Sequence, residues 1–158
     1  MINYFFKPNL ENVSQGARLK FVRELRYMQK EDVAKFLNLK GKSPTDTITK
    51  YECNNRNAFK KRIQELAKLF EVNYEAIKYY DFSKPIDQVY LHMWEEEQMP
   101  YSEFKIDFDA LRKSAYNMEV VHAFDEWEKM RKKREKFEIT DYEYLEWKLH
   151  FNLENELN

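Results

Sequence analysis

Apolar residues recur at helical spacing along most of the chain. Leu19, Val22, Leu25 and Met28 predict a first amphipathic helix over 15–28. Val33, Ala34 and Leu37 predict a second over 30–38. Ile63, Leu66, Ala67 and Phe70 mark a fourth, and Asn73 caps a short fifth that ends near Tyr80. Between the second and fourth lies a polar-faced segment in which Ile48 and Tyr51 can meet a core, while Thr45, Asp46, Thr49 and Lys50 fall on the other side. Ser43 supplies an N-cap acceptor, Pro44 needs no N–H at a first helical position, and Asp46 completes a Ser-x-x-acid capping box. The third helix is therefore expected to start at Ser43 and run over 44–53, after the loop Lys40-Gly41-Lys42 and before a turn at 54–57.

The pattern changes after Tyr80. Residues 81–85 form a boundary, and 86–97 are helical by spacing, with Val89, Tyr90, Met93 and Trp94 on one side and Pro100 as terminator. Phe104 to Phe108 alternate apolar and polar, which predicts a strand. A long helix should then run from Ala110 or Tyr116 to Lys136, carrying Tyr116, Val120, Phe124, Trp127 and Met130 as one apolar stripe. Thr140 caps a last helix containing Tyr144, Leu145, Trp147 and Leu149, and the two should fold back as a helical hairpin. The expectation is a mainly α protein in two parts, a five-helix domain over 1–80 with an N-terminal arm and a mostly helical domain over 81–158.

Charge sharpens that division. The chain of 158 residues has a formal net charge of −1, but residues 1–80 carry 16 Lys/Arg against 9 Asp/Glu (net +7) and residues 81–158 carry 11 against 19 (net −8). A basic part can approach a polyanion that an acidic part avoids. Mean hydropathy is −0.86, yet 16% aromatic content supplies enough apolar surface to offset the entropy of ordering the chain. Only two glycines are present, so phosphate-cradling glycine loops have no raw material. One cysteine, Cys53, permits neither an internal disulfide nor a Cys-based metal site, which points to a reducing compartment. No segment reads as a leader or membrane span, and the expected setting is soluble and cytoplasmic, with Tyr4, Phe5 and Phe6 packed on the core or on a partner subunit.

Residues 18–77 resemble the lambdoid-repressor and Cro-like helix-turn-helix domains of bacteria and phages. Three pieces in order carry the likeness: the run from Leu25 to Ala34 (LRYMQKEDVA), then Ile48-Thr49-Lys50-Tyr51-Glu52 with Asn54-Asn55-Arg56-Asn57, then Leu66-Ala67-Lys68-Leu69-Phe70-Glu71-Val72. The resemblance implies a five-helix domain that reads the major groove with its third helix. It makes Thr45, Asp46, Thr49 and Lys50 the base-contact candidates: Lys50 can reach guanine O6/N7, and Asp46 can accept from a cytosine amino group unless the capping box uses it. Lys30, Lys42, Asn55 and Arg56 become phosphate-contact candidates. Arg23 and Glu52 would form a structural pair between the first and third helices. Gln29, Lys30 and Cys53-Asn54 depart from the family's usual residues, and the loop before Ser43 is longer than usual.

The function expected is that of a sequence-specific, double-stranded-DNA-binding transcriptional regulator, a repressor acting as a homodimer. Tyr116, Val120, Phe124 and Trp127 are the candidate partner or dimer surface, or else the internal core of the hairpin. The alternative is a protein-interaction inhibitor or adaptor, an antitoxin or a phage-encoded antagonist of a host nucleic-acid enzyme, that binds a basic partner through the acidic half. Of the histidines His92, His122 and His150, His92 with Glu95 or Glu96 and His122 with Glu126 stand at helical spacing, as surface pairs do, and no metal, cofactor or catalytic constellation is expected. The run from Lys129 to Lys136 reads as a solvated helix end favoured by the dipole, with a second DNA contact as its rival.

Overall fold

Ser14 fixes the start of the first helix, because its Oγ accepts the Ala17 N–H (3.2 Å) and satisfies a donor that the helix leaves unpaired. In the computed structural model, which describes residues 5–156, the elements are α1 (Gln15–Leu25), α2 (Lys30–Phe36), α3 (Asp46–Glu52), α4 (Lys60–Phe70), α5 (Tyr74–Ile77), α6 (Asp87–Glu96), α7 (Phe108–Ser114), α8 (Met118–Glu135), α9 (Asp141–His150) and α10 (Leu153–Glu156). The described residues contain no strand. The chain divides into two compact units, residues 6–79 and residues 80–156, and Phe5 groups with the second. Phe5 lies edge-on to Tyr142 (5.4 Å between centroids), Phe6 is exposed beside Tyr27, and Tyr4 lies outside the described residues.

In the first unit the apolar seams meet as their spacing requires. Leu19, Phe21, Val22 and Leu25 of α1, Val33 and Ala34 of α2, Ile48 and Tyr51 of α3, and Ile63, Leu66 and Phe70 of α4 are all buried. α3 packs on α1 and α2. A charged residue shares this core: Arg18 donates through Nε to the Val13 carbonyl and through NH1 to the Ala76 carbonyl (both 3.0 Å), tying α1 to the last turn of α5. Hydrogen-bonded to these carbonyls, the guanidinium is spared part of the cost of burying a charge.

α3 starts two residues later than its capping pattern predicts, with Thr45 rather than Ser43 at the N-cap. Pro44 and Thr45 form a turn in which the Ser43 carbonyl accepts the Asp46 N–H (3.1 Å), and helical bonding begins only beyond it. The capping box is absent, since neither the Ser43 hydroxyl nor the Asp46 carboxylate makes a hydrogen bond among the described residues. A turn that uses the Ser43 carbonyl does the work expected of its side chain.

The second unit departs from expectation at residues 104–107, which form no strand, since no other stretch of the described residues pairs with them. The Phe104 carbonyl instead accepts from Arg131 (2.8 Å), and the Asp107 side chain caps α7 at the Ala110 N–H (3.0 Å). Of the two starts expected for the long helix, the later one is close to what forms: Ala110 lies in the separate α7, helical structure breaks at Ala115 and Tyr116, and Asn117 caps α8 at the Glu119 N–H (2.7 Å). Tyr116 is fully exposed in that break, whereas Val120, Phe124 and Trp127 are buried against the unit's own core. These three are internal, and a partner could reach only Tyr116 of the four stripe residues proposed as a surface.

α8 and α9, joined through residues 136–140, pack on each other around a buried polar network. Thr140 and Glu143 form a reciprocal capping box at the start of α9. Glu96, with no exposed side-chain surface, accepts from Lys148 Nζ and Tyr144 OH (both 2.8 Å), from Trp127 Nε1 (3.3 Å) and from Arg131 Nε (2.9 Å). Lys148 also pairs with Glu97, whose two carboxylate oxygens accept from Tyr101 OH. Burial pushes the Glu96 carboxyl up, but Lys148 and the hydrogen bonds from Lys148, Tyr144 and Arg131 together outweigh it and hold the pKa below the ordinary carboxylate value. The phenols of Tyr101 and Tyr144 are pushed far up, first by burial and then by the neighbouring carboxylates, so both remain donors.

Candidate nucleic-acid interface

With Ile48 and Tyr51 turned into the core, α3 presents its other side outward. Asp46 and Lys50 are exposed, and Thr45 and Thr49 are half-buried at the margin. Beyond the helix, Asn55 and Arg56 are exposed, and their backbone N–H groups donate to the Lys50 carbonyl (2.9 and 3.2 Å), folding the chain back over the helix end. This brings Lys50, Asn55 and Arg56 together at one end of α3. Lys42 is exposed in the preceding loop beside Gly41, whose φ of +117° is a conformation that glycine adopts freely.

Two anchors hold this face. Behind α3, Arg23 grips Glu52 with a bidentate pair (Nε to Oε1, 2.5 Å; NH2 to Oε2, 3.2 Å) and donates its NH1 to the Met28 carbonyl (2.8 Å). Both side chains are under 10% exposed, so the pair is shielded from solvent and its fork geometry fixes α3 relative to α1. The second anchor is Asn54, at φ 60°. Its Oδ1 accepts the Gly16 N–H (2.9 Å) and its Nδ2 donates to Ser14 Oγ (2.9 Å), the same hydroxyl that caps α1. Gly16 makes the close approach possible: a Cβ there would stand 2.4 Å from the Glu52 carbonyl oxygen and 2.5 Å from that of Tyr51.

Lys30 is not free at the start of α2. Its ammonium donates to Thr49 Oγ1 (3.0 Å), so a phosphate-contact candidate and a base-contact candidate are joined to each other. The bond ties α2 to the outward side of α3. Sequence reasoning overlooked Asn54, Gly16 and Ser14, although an asparagine where a turn needs positive φ is a signal of a side chain with a second task. It also could not have foreseen the Lys30–Thr49 bond, which depends on the angle between two helices.

The unit is positive as a whole, since residues 6–79 hold all 16 Lys/Arg and 9 Asp/Glu of the basic half. The arrangement can donate hydrogen bonds and cationic charge from Lys50, Arg56 and Lys42, and accept at Asp46. Among the described residues no group of three His, Cys, Asp or Glu side chains is placed to hold a metal ion. Cys53 is exposed, and His92 pairs with Glu95 at 2.8 Å. No helix among the described residues is long and apolar enough to cross a membrane. Comparison of the chain with protein-family models, with curated proteins and with solved structures found no match in any of the three.

Proposed function

We propose that residues 6–79 form a lambdoid-repressor-like helix-turn-helix domain, with α2 and α3 as its two signature helices, and that the chain is a cytoplasmic, sequence-specific regulator of transcription that represses by occupying double-stranded DNA as a homodimer. The observation that carries the reading is α3 itself, which exposes Asp46 and Lys50 while the Arg23–Glu52 pair and the Asn54 clasp hold it from behind. A rigidly held helix with a polar outer side suits the major groove, where position decides which base edges are read. Lys50 and Asp46 read bases in this account, Arg56, Asn55 and Lys42 contact phosphates, and Lys30 positions Thr49. The second unit, at net −8, stays away from DNA and serves dimerisation or sensing.

The adaptor reading rests on that acidic charge alone, because the aromatic stripe it would use is internal apart from Tyr116. Selection of bound sites from random duplex DNA, at a stated salt concentration, tests both readings. A recovered motif is expected, with Lys50→Ala weakening binding to it about tenfold or more, the loss of a base contact worth roughly 1–3 kcal/mol, while binding to random DNA is little changed. No enrichment from the pool, or equal losses on motif and random DNA, would reject the role given to α3.

A further inference from the structure

The segment that the sequence marks as a strand has a strand's habit and no partner. Phe104 and Ile106 are half-buried while Lys105 and Asp107 are exposed, the period-two alternation of an extended chain. The backbone N–H and C=O groups of Lys105 and Ile106 make no hydrogen bond among the described residues. This stretch forms one wall of an open depression of about 630 Å³, whose other wall is α8 at Arg131, Arg134 and Glu135.

The charges around the depression are unevenly used. Its acids are spent, Glu135 on Arg131 (3.4 Å) and Asp107 on the N-cap of α7. Arg131 is spent as well, on Glu96 and on the carbonyls of Tyr101 and Phe104. Lys105 has no partner among the described residues. Arg134 lies over the rings of Tyr101 and Tyr144 (4.8 and 5.7 Å), has one long ion pair to the exposed Asp141 (3.5 Å), and keeps a buried Nε with no acceptor. Within a unit of net −8, the lining of this depression is locally positive, with Lys105, Arg131 and Arg134 against Asp107 and Glu135, and it stands beside unpaired extended backbone.

We propose that this depression seats an extended, carboxylate-bearing segment of a partner protein, which adds its backbone to residues 104–107 and places acidic side chains on Lys105 and Arg134. Main-chain pairing supplies affinity in such an arrangement, and the side chains at alternate positions supply selection. Stacking on two tyrosines holds the Arg134 guanidinium in place before the ligand arrives, which lowers the ordering cost. The proposal does not depend on DNA binding by the first unit.

The test is a titration of the isotope-labelled full chain followed by amide correlation spectra. The probes are a short peptide of alternating Glu and Thr, its Gln/Thr counterpart, a backbone N-methylated Glu/Thr peptide, and free glutamate and inorganic phosphate. The Glu/Thr peptide should shift the Lys105 and Ile106 amides and the Arg134 Nε–H, and the Gln/Thr and N-methylated peptides should bind about tenfold more weakly. Lys105→Glu, which alters an exposed side chain without a partner, should cost about tenfold in affinity and leave tryptophan emission unchanged. Arg134→Gln should do the same wherever the variant keeps its emission spectrum. Absence of shifts at about 1 mM peptide, equal binding of the Glu and Gln forms, or indifference to Lys105→Glu would overturn the proposal. So would identical shifts from free glutamate or phosphate at the same concentration, which would make the depression a small-anion site.

Discussion

Replacing Lys148 with Met removes the one ammonium that stands between two buried carboxylates. Its Nζ is 2.8 Å from Glu96 Oε2 and touches Glu97, and the three side chains are at most 4% exposed. Methionine keeps most of the stem, so little packing is lost. At 2.8 Å and an effective dielectric of about 20, one such contact is worth about 6 kcal/mol before desolvation. Relieving the lysine of its own burial returns part of this, and the expected net loss is about 3–5 kcal/mol at pH 7, the cost of breaking a buried pair from one side. The pH dependence carries the sharper signature. The native Glu96 pKa lies below its unfolded value, so its contribution to stability is present above that unfolded value and is lost as pH falls through the folded one. Without Lys148 the strongest opponent of burial is gone, so the folded Glu96 pKa rises and protonation costs the variant less stability than it costs the native protein. The deficit of Lys148→Met should therefore shrink between pH 7 and about pH 4. Urea unfolding followed by tryptophan emission measures it, because Trp94, Trp127 and Trp147 all belong to the second unit. A loss below about 1 kcal/mol, or a deficit that stays constant on acidification, would refute the reasoning.

Gly16→Ala should destabilise the first unit by about 3 kcal/mol, since the added Cβ meets two backbone carbonyl oxygens that cannot turn aside as a side chain would. Amide exchange across α1 and α3 would report it, and the tryptophan transition of the second unit should not move. Glu52→Gln leaves the buried Arg23 with the Met28 carbonyl, an uncharged amide and the more distant Glu24 carboxylate (3.8 Å), at an expected cost of about 2–3 kcal/mol, and should speed exchange of α3 amides. Unaltered exchange in that variant would mean that the pair does not hold α3.

The helices of the first unit were legible because each is amphipathic, with its apolar seam on one side. Leu19, Val22 and Leu25, or Ile63, Leu66 and Phe70, announce both the helix and its buried face. What the sequence misplaced depended on competition for hydrogen bonds. Ser43 reads as a cap, but its carbonyl closes a turn first. Phe104 to Phe108 read as a strand, but a strand needs a neighbour and none is at hand. The buried site of Glu96, Glu97 and Lys148 leaves no mark in the sequence, since nothing in their local pattern distinguishes an ion that will be buried from one that will not. Within the run from Lys129 to Lys136, the structure turns Arg131 and Arg134 toward Glu96 and the tyrosines and leaves Lys129 and Lys132 in solvent, a distinction that composition cannot draw. Among the site residues, the outward placement of Asp46 and Lys50 followed from helical spacing, whereas the Lys30–Thr49 bond and the Asn54 clasp arose only from packing.

Asn54 satisfies two demands at once. Its backbone sits at positive φ, which costs glycine and asparagine less than most residues, while its amide must reach both Gly16 and Ser14, which glycine cannot do. Asparagine is the residue that meets both demands. Lys50 and Asp46, by contrast, have no internal duty, and replacing them disturbs nothing behind them. Under the proposed reading the outward residues of α3 can be exchanged to suit a new target, while Asn54, which touches none, is the costlier position to change.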